Sequence, residues 1–160
     1  MMTSRRAALV SLAAVLLATL ALSPSIATAK DKPKPRHGNT IHVVEHATTD
    51  SIDVDAVGHV LTFANDVFDS ADHAKVGSDQ GYCVRIVVGK SWECNWTTFL
   101  RDGQITVEGP FSDTGNTVVA ITGGTGKYAK ARGWMELNYH NPAGTEFDFV
   151  FHLKGGHRDS

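Results

Sequence analysis

Residues 77–133 read GSDQGYCVRIVVGKSWECNWTTFLRDGQITVEGPFSDTGNTVVAITGGTGKYAKARG. Short segments of alternating apolar and polar residues are separated in this stretch by turns that contain Gly, Asn or Asp. Alternation with a period of two is typical of strands that bury one face. Gly and Asx residues tolerate the positive φ angles that tight turns require. The stretch therefore predicts an antiparallel β-meander.

The same pattern continues on both sides of this stretch, and helix signals are scarce after residue 30. About eight hairpin-linked strands must close or stack to protect their edges, which leaves a barrel or a sandwich. A sequential meander with short turns favours the barrel. We predict an all-β fold, an eight-stranded antiparallel up-and-down β-barrel, from segments at residues 41–47, 51–57, 59–68, 81–88, 92–100, 104–111, 117–122, 133–140 and 147–153.

The amino terminus has the pattern of an export signal. Arg5 and Arg6 precede an apolar run over residues 7–22, and the small residues Ala27-Thr28-Ala29 follow Pro24. The run is shorter than the ~20 residues that a membrane anchor needs. We expect a signal peptide over residues 1–29, a flexible basic leader over 30–39, the barrel over 40–154 and a flexible tail over 155–160. The mature protein would be secreted or periplasmic, and the two arginines leave the export route open.

The charge balance argues against a nucleic-acid partner. The chain has 15 Lys and Arg and 17 Asp and Glu. Cleavage after Ala29 would remove Arg5 and Arg6 and no acidic residue, which leaves a net charge of −4. Nucleic-acid binding needs clustered Lys and Arg for phosphate contacts. We expect neither a nucleic-acid role nor a membrane span in the mature form.

Two cysteines, Cys83 and Cys94, lie on two predicted strands around Gly89-Lys90-Ser91. A four-residue loop over residues 87–90 would place them opposite each other with both sulfurs on one face. A cross-strand disulfide is one interpretation, since exported chains meet an oxidising compartment. A free Cys83 in a ligand cavity is the other.

The fourth and last predicted strands differ in their burial pattern. Phe147, Phe149, Phe151 and Leu153 share one face of the last strand, and Glu146, Asp148 and His152 lie on the other. The segment 81–88 has apolar residues on both faces, with Tyr82, Val84, Ile86 and Val88 on one and Cys83, Arg85 and Val87 on the other. An apolar outer face indicates cover by another subunit, and we predict a homo-oligomer.

Motifs for metal or nucleophilic chemistry do not occur. His42 and His46 share a strand face, but four residues of strand separate them by roughly 13 Å, too far for one ion. The chain contains no CxxC pair, HExxH or GxSxG. We predict no metal site and no cofactor.

Gly123-Gly124-Thr125-Gly126-Lys127-Tyr128, followed by Ala131-Arg132-Gly133, resembles a signature shared by allene oxide cyclases and dirigent proteins. It does not match a phosphate loop, which would need Gly at 121 and Ser or Thr at 128. The amino-terminal half is closer to the cyclases. Its resembling segments are Val43-Val44-Glu45-His46-Ala47, residues 61–69 and Gly81-Tyr82-Cys83-Val84.

The resemblance implies roles for three residues. In the cyclases an unsaturated epoxide opens within an apolar barrel, and the resulting cation closes to a cyclopentenone. Glu45 would stabilise the positive charge, Asn65 would hold a water or an oxygen atom, and Cys83 would line the cavity. The cyclases have a second asparagine where this chain has Ala47. Apart from the resemblance, we predict that Arg85, which lies on the same strand face as Cys83, pairs with Glu45 and keeps it ionised despite burial.

Three functional hypotheses follow. The first is a cofactor-independent cyclase or isomerase that folds a hydrophobic ligand (a lipid, polyketide or phenolic compound) into a reactive conformer. The second is a non-catalytic, dirigent-like barrel that binds or stereo-directs its ligand. The third is a structural or defence protein whose lumen is filled by side chains. The family resemblance further implies a trimer.

Overall fold

The computed structural model describes residues 39–48, 50–51 and 54–154. Nine strands form one antiparallel sheet, and the 3-10 helix η1 (Gly126–Tyr128) follows the seventh. The strands are β1 (Asn39–His46), β2 (Asp50–Ser51), β3 (Val60–Asp69), β4 (Lys75–Val87), β5 (Ser91–Leu100), β6 (Gly103–Ser112), β7 (Thr117–Gly124), β8 (Gly133–Tyr139) and β9 (Glu146–Leu153). The predicted signal peptide, most of the leader and the tail lie outside the described residues.

Eight of these strands, β1 and β3 to β9, close into the predicted up-and-down barrel, and among the described strands the two-residue β2 pairs with β3 alone. Strands β3 to β9 pair in sequence order, and β1 lies between β9 and β3. Pairing of β1 with β9 covers all eight residues of β1, whereas pairing with β3 covers only Val43 to His46. The seam at which the barrel closes is therefore short on the β3 side.

Two predicted strand bounds need correction. The strand predicted over residues 51–57 is limited, among the described residues, to Ser51 of the two-residue β2, and Val57 and Gly58 form a turn. The strand predicted from Gly81 begins six residues earlier, at Lys75. This extension moves Asp79 into β4 and onto its inward face.

Alternating burial along the strands builds the core as the sequence pattern predicts. Strand β5 buries Trp92, Cys94, Trp96 and Thr98. Gly81 of β4 lies opposite Trp96, and a Cβ at this glycine would overlap the Trp96 Cβ atom. The glycine therefore makes room for an indole beside the lumen. Strand β9 contributes Phe147, Phe149 and Phe151 to the same core.

The signature stretch is a turn that packs against a neighbouring hairpin. Gly126 has φ +56° and begins η1, and the backbone N–H of Lys127 donates to the Asp102 carbonyl at 2.9 Å. The N–H of Thr125 donates to the Gln104 carbonyl at 2.9 Å. The stretch therefore connects β7 to β8 and tethers them to the turn between β5 and β6.

The two cysteines form the cross-strand disulfide. Cys83 of β4 is paired directly with Cys94 of β5, and their Cα atoms are 4.0 Å apart. The expected register is reached through a bulge between Arg85 and Val87, not through a four-residue loop. A link across 11 residues stabilises the fold by about 3 kcal/mol through loop-closure entropy. Disulfides are typical of proteins in oxidising compartments.

Candidate functional site

The barrel contains a cavity of about 470 Å³ that is open to the outside. Its walls are mainly aromatic and aliphatic, and the two disulfide-bonded cysteines contribute to them. A volume of this order is usual for small-molecule sites. The cavity is lined by Glu45, Ala47, Asp55, Leu61, Phe63, Asn65, Cys83, Arg85, Trp92, Cys94, Trp96, Phe111, Leu137, Gly144, Thr145, Phe147 and Phe149.

Glu45 projects inward from β1 and is only 5% exposed. The amide of Asn65 is also buried and donates from Nδ2 to Glu45 Oε1 at 2.9 Å. Asn65 Oδ1 accepts the backbone N–H of Thr48 at 3.1 Å, and this bond orients the amide. Both residues that the sequence resemblance singles out therefore lie in the lumen, in direct contact.

Asp79 is a second buried acid in contact with Glu45, and it was not identified from the sequence. It is opposite Asn65 in the β3–β4 pairing and is 2% exposed. Burial, and then the negative charge of Glu45, raise the pKa of Asp79 to about 10. Asp79 therefore carries a proton at neutral pH, and it does not line the cavity itself.

The proton on Asp79 removes the charge repulsion that would oppose ionisation of Glu45. Burial raises the pKa of Glu45, while hydrogen bonds from the Asn65 amide and the Asp79 carboxyl oppose this rise. Two carboxyl groups in one apolar site hold at least one proton between them, since both cannot carry charge there. The negative charge of Glu45 is one cause of the raised Asp79 pKa, so Asp79 is the member of the pair that keeps its proton longer as pH rises.

Arg85 lines the cavity, but the predicted pairing with Glu45 is wrong. Its Nε and Nη2 donate to the two carboxylate oxygens of Asp55 at 2.6 and 3.1 Å, and Nη1 donates to Asp113. The guanidinium carbon lies 3.6 Å from the ring centroid of Trp92. Along β4, six residues separate Arg85 from Asp79, which corresponds to about 20 Å. The lumen therefore has two separate polar regions.

The disulfide resolves the open question about Cys83. The residue lines the cavity, as the resemblance implies, but its sulfur is bonded to Cys94. A disulfide sulfur has no thiolate to act as a nucleophile. Cys83 contributes shape and an apolar surface to the lumen.

The geometry defines a class: a closed antiparallel barrel with an aromatic lumen, one buried acid pair and one neutralised arginine. Residues 40–151 match the family model described as an allene oxide cyclase barrel like domain, and the chain belongs to this family. No helix in the described part of the chain is long and apolar enough to cross a bilayer.

Solved structures with the same fold include a protein named pyocyanin demethylase and two dirigent proteins. The demethylase is 24% identical, with a TM-score of 0.53, and the match covers 71% of this chain and all of that one. The pterocarpan synthase dirigent protein PsPTS1 is 19% identical with a TM-score of 0.58, and the match covers 73% of this chain and 96% of that one. For GePTS1 the identity is 20%, the TM-score 0.58, and the coverage 72% and 90%. These likenesses establish the fold.

Proposed function

We propose that the protein is an exported barrel that binds a hydrophobic small molecule and promotes its cofactor-independent cyclisation or isomerisation. The observation that carries the proposal is the buried Glu45 carboxylate, which faces an aromatic cavity with its proton-bearing partner behind it. Such a rearrangement conserves the atoms of the ligand and needs no co-reactant. The disulfide and the predicted signal peptide support export.

In this proposal Glu45 stabilises positive charge that develops on the ligand. A carboxylate in a water-poor cavity acts on a nearby cation more strongly than it does in water. Asn65 holds the carboxylate in place, and Asp79 favours its ionised form by keeping its own proton and donating a hydrogen bond. Glu45 is the catalytic residue, and Asp79 is a positioning residue that acts through it.

The walls of the cavity favour a flat or folded apolar ligand that also carries an oxygen atom. Trp96 contacts Phe63 edge-on and Phe149 in a tilted arrangement, with ring centroids 6.4 and 5.8 Å away. The buried indole N–H of Trp96 has no acceptor among the described residues. A ligand oxygen would satisfy this donor, because a buried N–H without a partner is costly.

Binding of a neutral apolar fluorophore, N-phenyl-1-naphthylamine, tests whether the lumen takes up ligands. We expect saturable binding with enhanced fluorescence. Leu61→Trp, which fills the lumen, should weaken binding at least about tenfold, since it removes the space for apolar contact. Val118→Trp, at a position 56% exposed, is the matched control and should bind normally. An equal affinity for both variants would contradict a lumenal site.

The second candidate is a non-catalytic, dirigent-like barrel that binds or stereo-directs its ligand. It is favoured by Arg85, which places a rigid, charge-paired group in the same cavity. Native mass spectrometry of protein from its own host would identify a co-purifying ligand. Incubation of that ligand with the protein separates the candidates, because the non-catalytic barrel yields no product beyond the uncatalysed rate.

We also propose that the protein is a homo-oligomer, and a trimer on the family resemblance. Tyr82, Ile86 and Val88 on the outer side of the β4 hairpin are each about half exposed, as is Val60 on β3. Burial of these side chains by another copy would stabilise an oligomer. Sedimentation velocity should give a mass of several chains, and Ile86→Glu should shift it toward one chain. A single-chain mass for the wild type at micromolar concentration would overturn this proposal.

A further inference from the structure

A cluster of potential metal ligands lies outside the lumen, at the seam where β1 closes the barrel. His46 ends β1, Asp72 lies in the turn between β3 and β4, and Glu146 begins β9. One ligand atom from each residue lies within 4.8 Å of the others, and all three residues are half-buried. His46 Nε2 is 2.7 Å from Asp72 Oδ1. Three separate elements thus direct one imidazole and two carboxylates to one point.

The surrounding structure orients all three side chains. His46 is paired with Glu146 in the β1–β9 ladder, so both project from the same face of the sheet. The imidazole stacks on Phe68, with ring centroids 4.1 Å apart. Asp72 has φ +57° and is the single non-glycine residue with positive φ in the described chain. Its turn is fixed by Asp69, whose carboxylate accepts two backbone N–H groups.

The charges at this point favour a cation. Within the described residues, no Lys or Arg lies within ion-pair distance of the Asp72 or Glu146 carboxylate. Asp148, two residues along β9 from Glu146, contacts His42 at 2.7 Å and His140 at 3.1 Å, and the charges of Asp148, Asp72 and Glu146 all raise the pKa of His140. The carboxylates of Asp72 and Glu146, with oxygens within 4.8 Å of each other, repel one another. A divalent ion held between them would replace this repulsion with attraction.

We propose that His46, Asp72 and Glu146 bind a divalent transition-metal ion such as Zn²⁺, which clips β1 to its two neighbours. Imidazole nitrogen combined with carboxylate oxygen suits Zn²⁺ better than Mg²⁺ or Ca²⁺, which prefer oxygen ligands alone. The clip reinforces the side on which β1 has only four residues paired with β3. This proposal departs from the absence of metal predicted from sequence, which rested on the separation of His42 and His46 along one strand and on the lack of CxxC and HExxH motifs.

Zinc binding to the untagged, EDTA-stripped protein tests the proposal without reference to any turnover. Calorimetry should give one Zn²⁺ per chain. The melting temperature should rise by about 5 °C or more at a hundredfold excess over the dissociation constant, because the ion binds the folded state. Equimolar Mg²⁺ should not reproduce the rise. Absence of zinc binding below about 100 μM would overturn the proposal, whatever the lumen does.

Three conservative variants locate the site. His46→Gln, Asp72→Asn and Glu146→Gln should each weaken zinc binding at least about tenfold, since each removes one ligand. Asn tolerates positive φ, so Asp72→Asn keeps the turn and remains informative if another variant unfolds. His152→Gln is the matched control, because it removes a half-buried His that lies six residues along β9 from Glu146 and contacts Glu136 at 3.1 Å and the Trp134 ring. Wild-type affinity in all three variants would contradict the assignment.

Discussion

Replacing Glu45 by glutamine is expected to abolish turnover of the lumenal ligand while leaving its affinity nearly unchanged. Glutamine keeps the shape of the side chain and still offers an oxygen to the Asn65 amide, which donates at 2.9 Å in the wild type. It removes the negative charge that would stabilise a developing cation. Loss of one preorganised electrostatic group typically lowers kcat by about 10²- to 10³-fold. Binding rests on the aromatic walls and should change less than about threefold.

Single-turnover kinetics with the co-purifying ligand, or with a panel of unsaturated fatty epoxides, measures this effect. Glu93→Gln, on the exposed outer face of β5, is the matched control and should react at the wild-type rate. An unchanged rate in Glu45→Gln would refute the catalytic role. Absence of any acceleration by the wild type would instead favour the non-catalytic barrel.

Asp79→Asn is expected to stabilise the protein at neutral pH and to flatten the pH dependence of its stability. The Asp79 pKa of about 10 lies far above the value of 3.8 for a free side chain. Between these two values the folded state holds a proton that the unfolded chain has released. The free energy of unfolding of the wild type therefore falls as pH rises through this window. Burial also raises the pKa of Glu45, so its effect has the same sign.

Asparagine resembles the protonated carboxyl group and needs no proton. We expect the variant to gain about 2–4 kcal/mol relative to the wild type at pH 7 and little or nothing near pH 4. Urea denaturation across pH 4 to 9 measures the difference. Asp66→Asn removes a half-exposed partner of Lys75 and, as the control, should change stability by less than about 1 kcal/mol. Parallel pH profiles for Asp79→Asn and the wild type would contradict the protonation state assigned here.

The sequence predicted the barrel because its strands follow a period of two with few interruptions. The Cys83–Cys94 register follows from the same alternation, and the lumenal positions of Glu45 and Asn65 agree with the family resemblance. Asp79 was missed because the predicted strand began at Gly81. Extending the alternation of Cys83 by two steps toward the amino terminus would have placed Asp79 on the inward face.

The partners of Arg85 were beyond the reach of local patterns. Asp55 and Asp113 are about 30 residues away on either side of Arg85 and lie outside the strands. Their approach depends on how loops fold over the barrel end. The contact between His46 and Asp72 likewise depends on a left-handed turn residue. Periodicity determines which face a side chain occupies, but it does not determine which loop covers that face.

We infer that the acid pair of Glu45 and Asp79 contains one carboxylate and one protonated carboxyl group at neutral pH. Infrared spectroscopy at pH 7 measures this directly through the C=O band of a protonated carboxyl group, which shifts in D₂O. We predict that the wild type shows this band and that Asp79→Asn lacks it. A wild-type spectrum without a protonated carboxyl band at pH 7 would contradict the account.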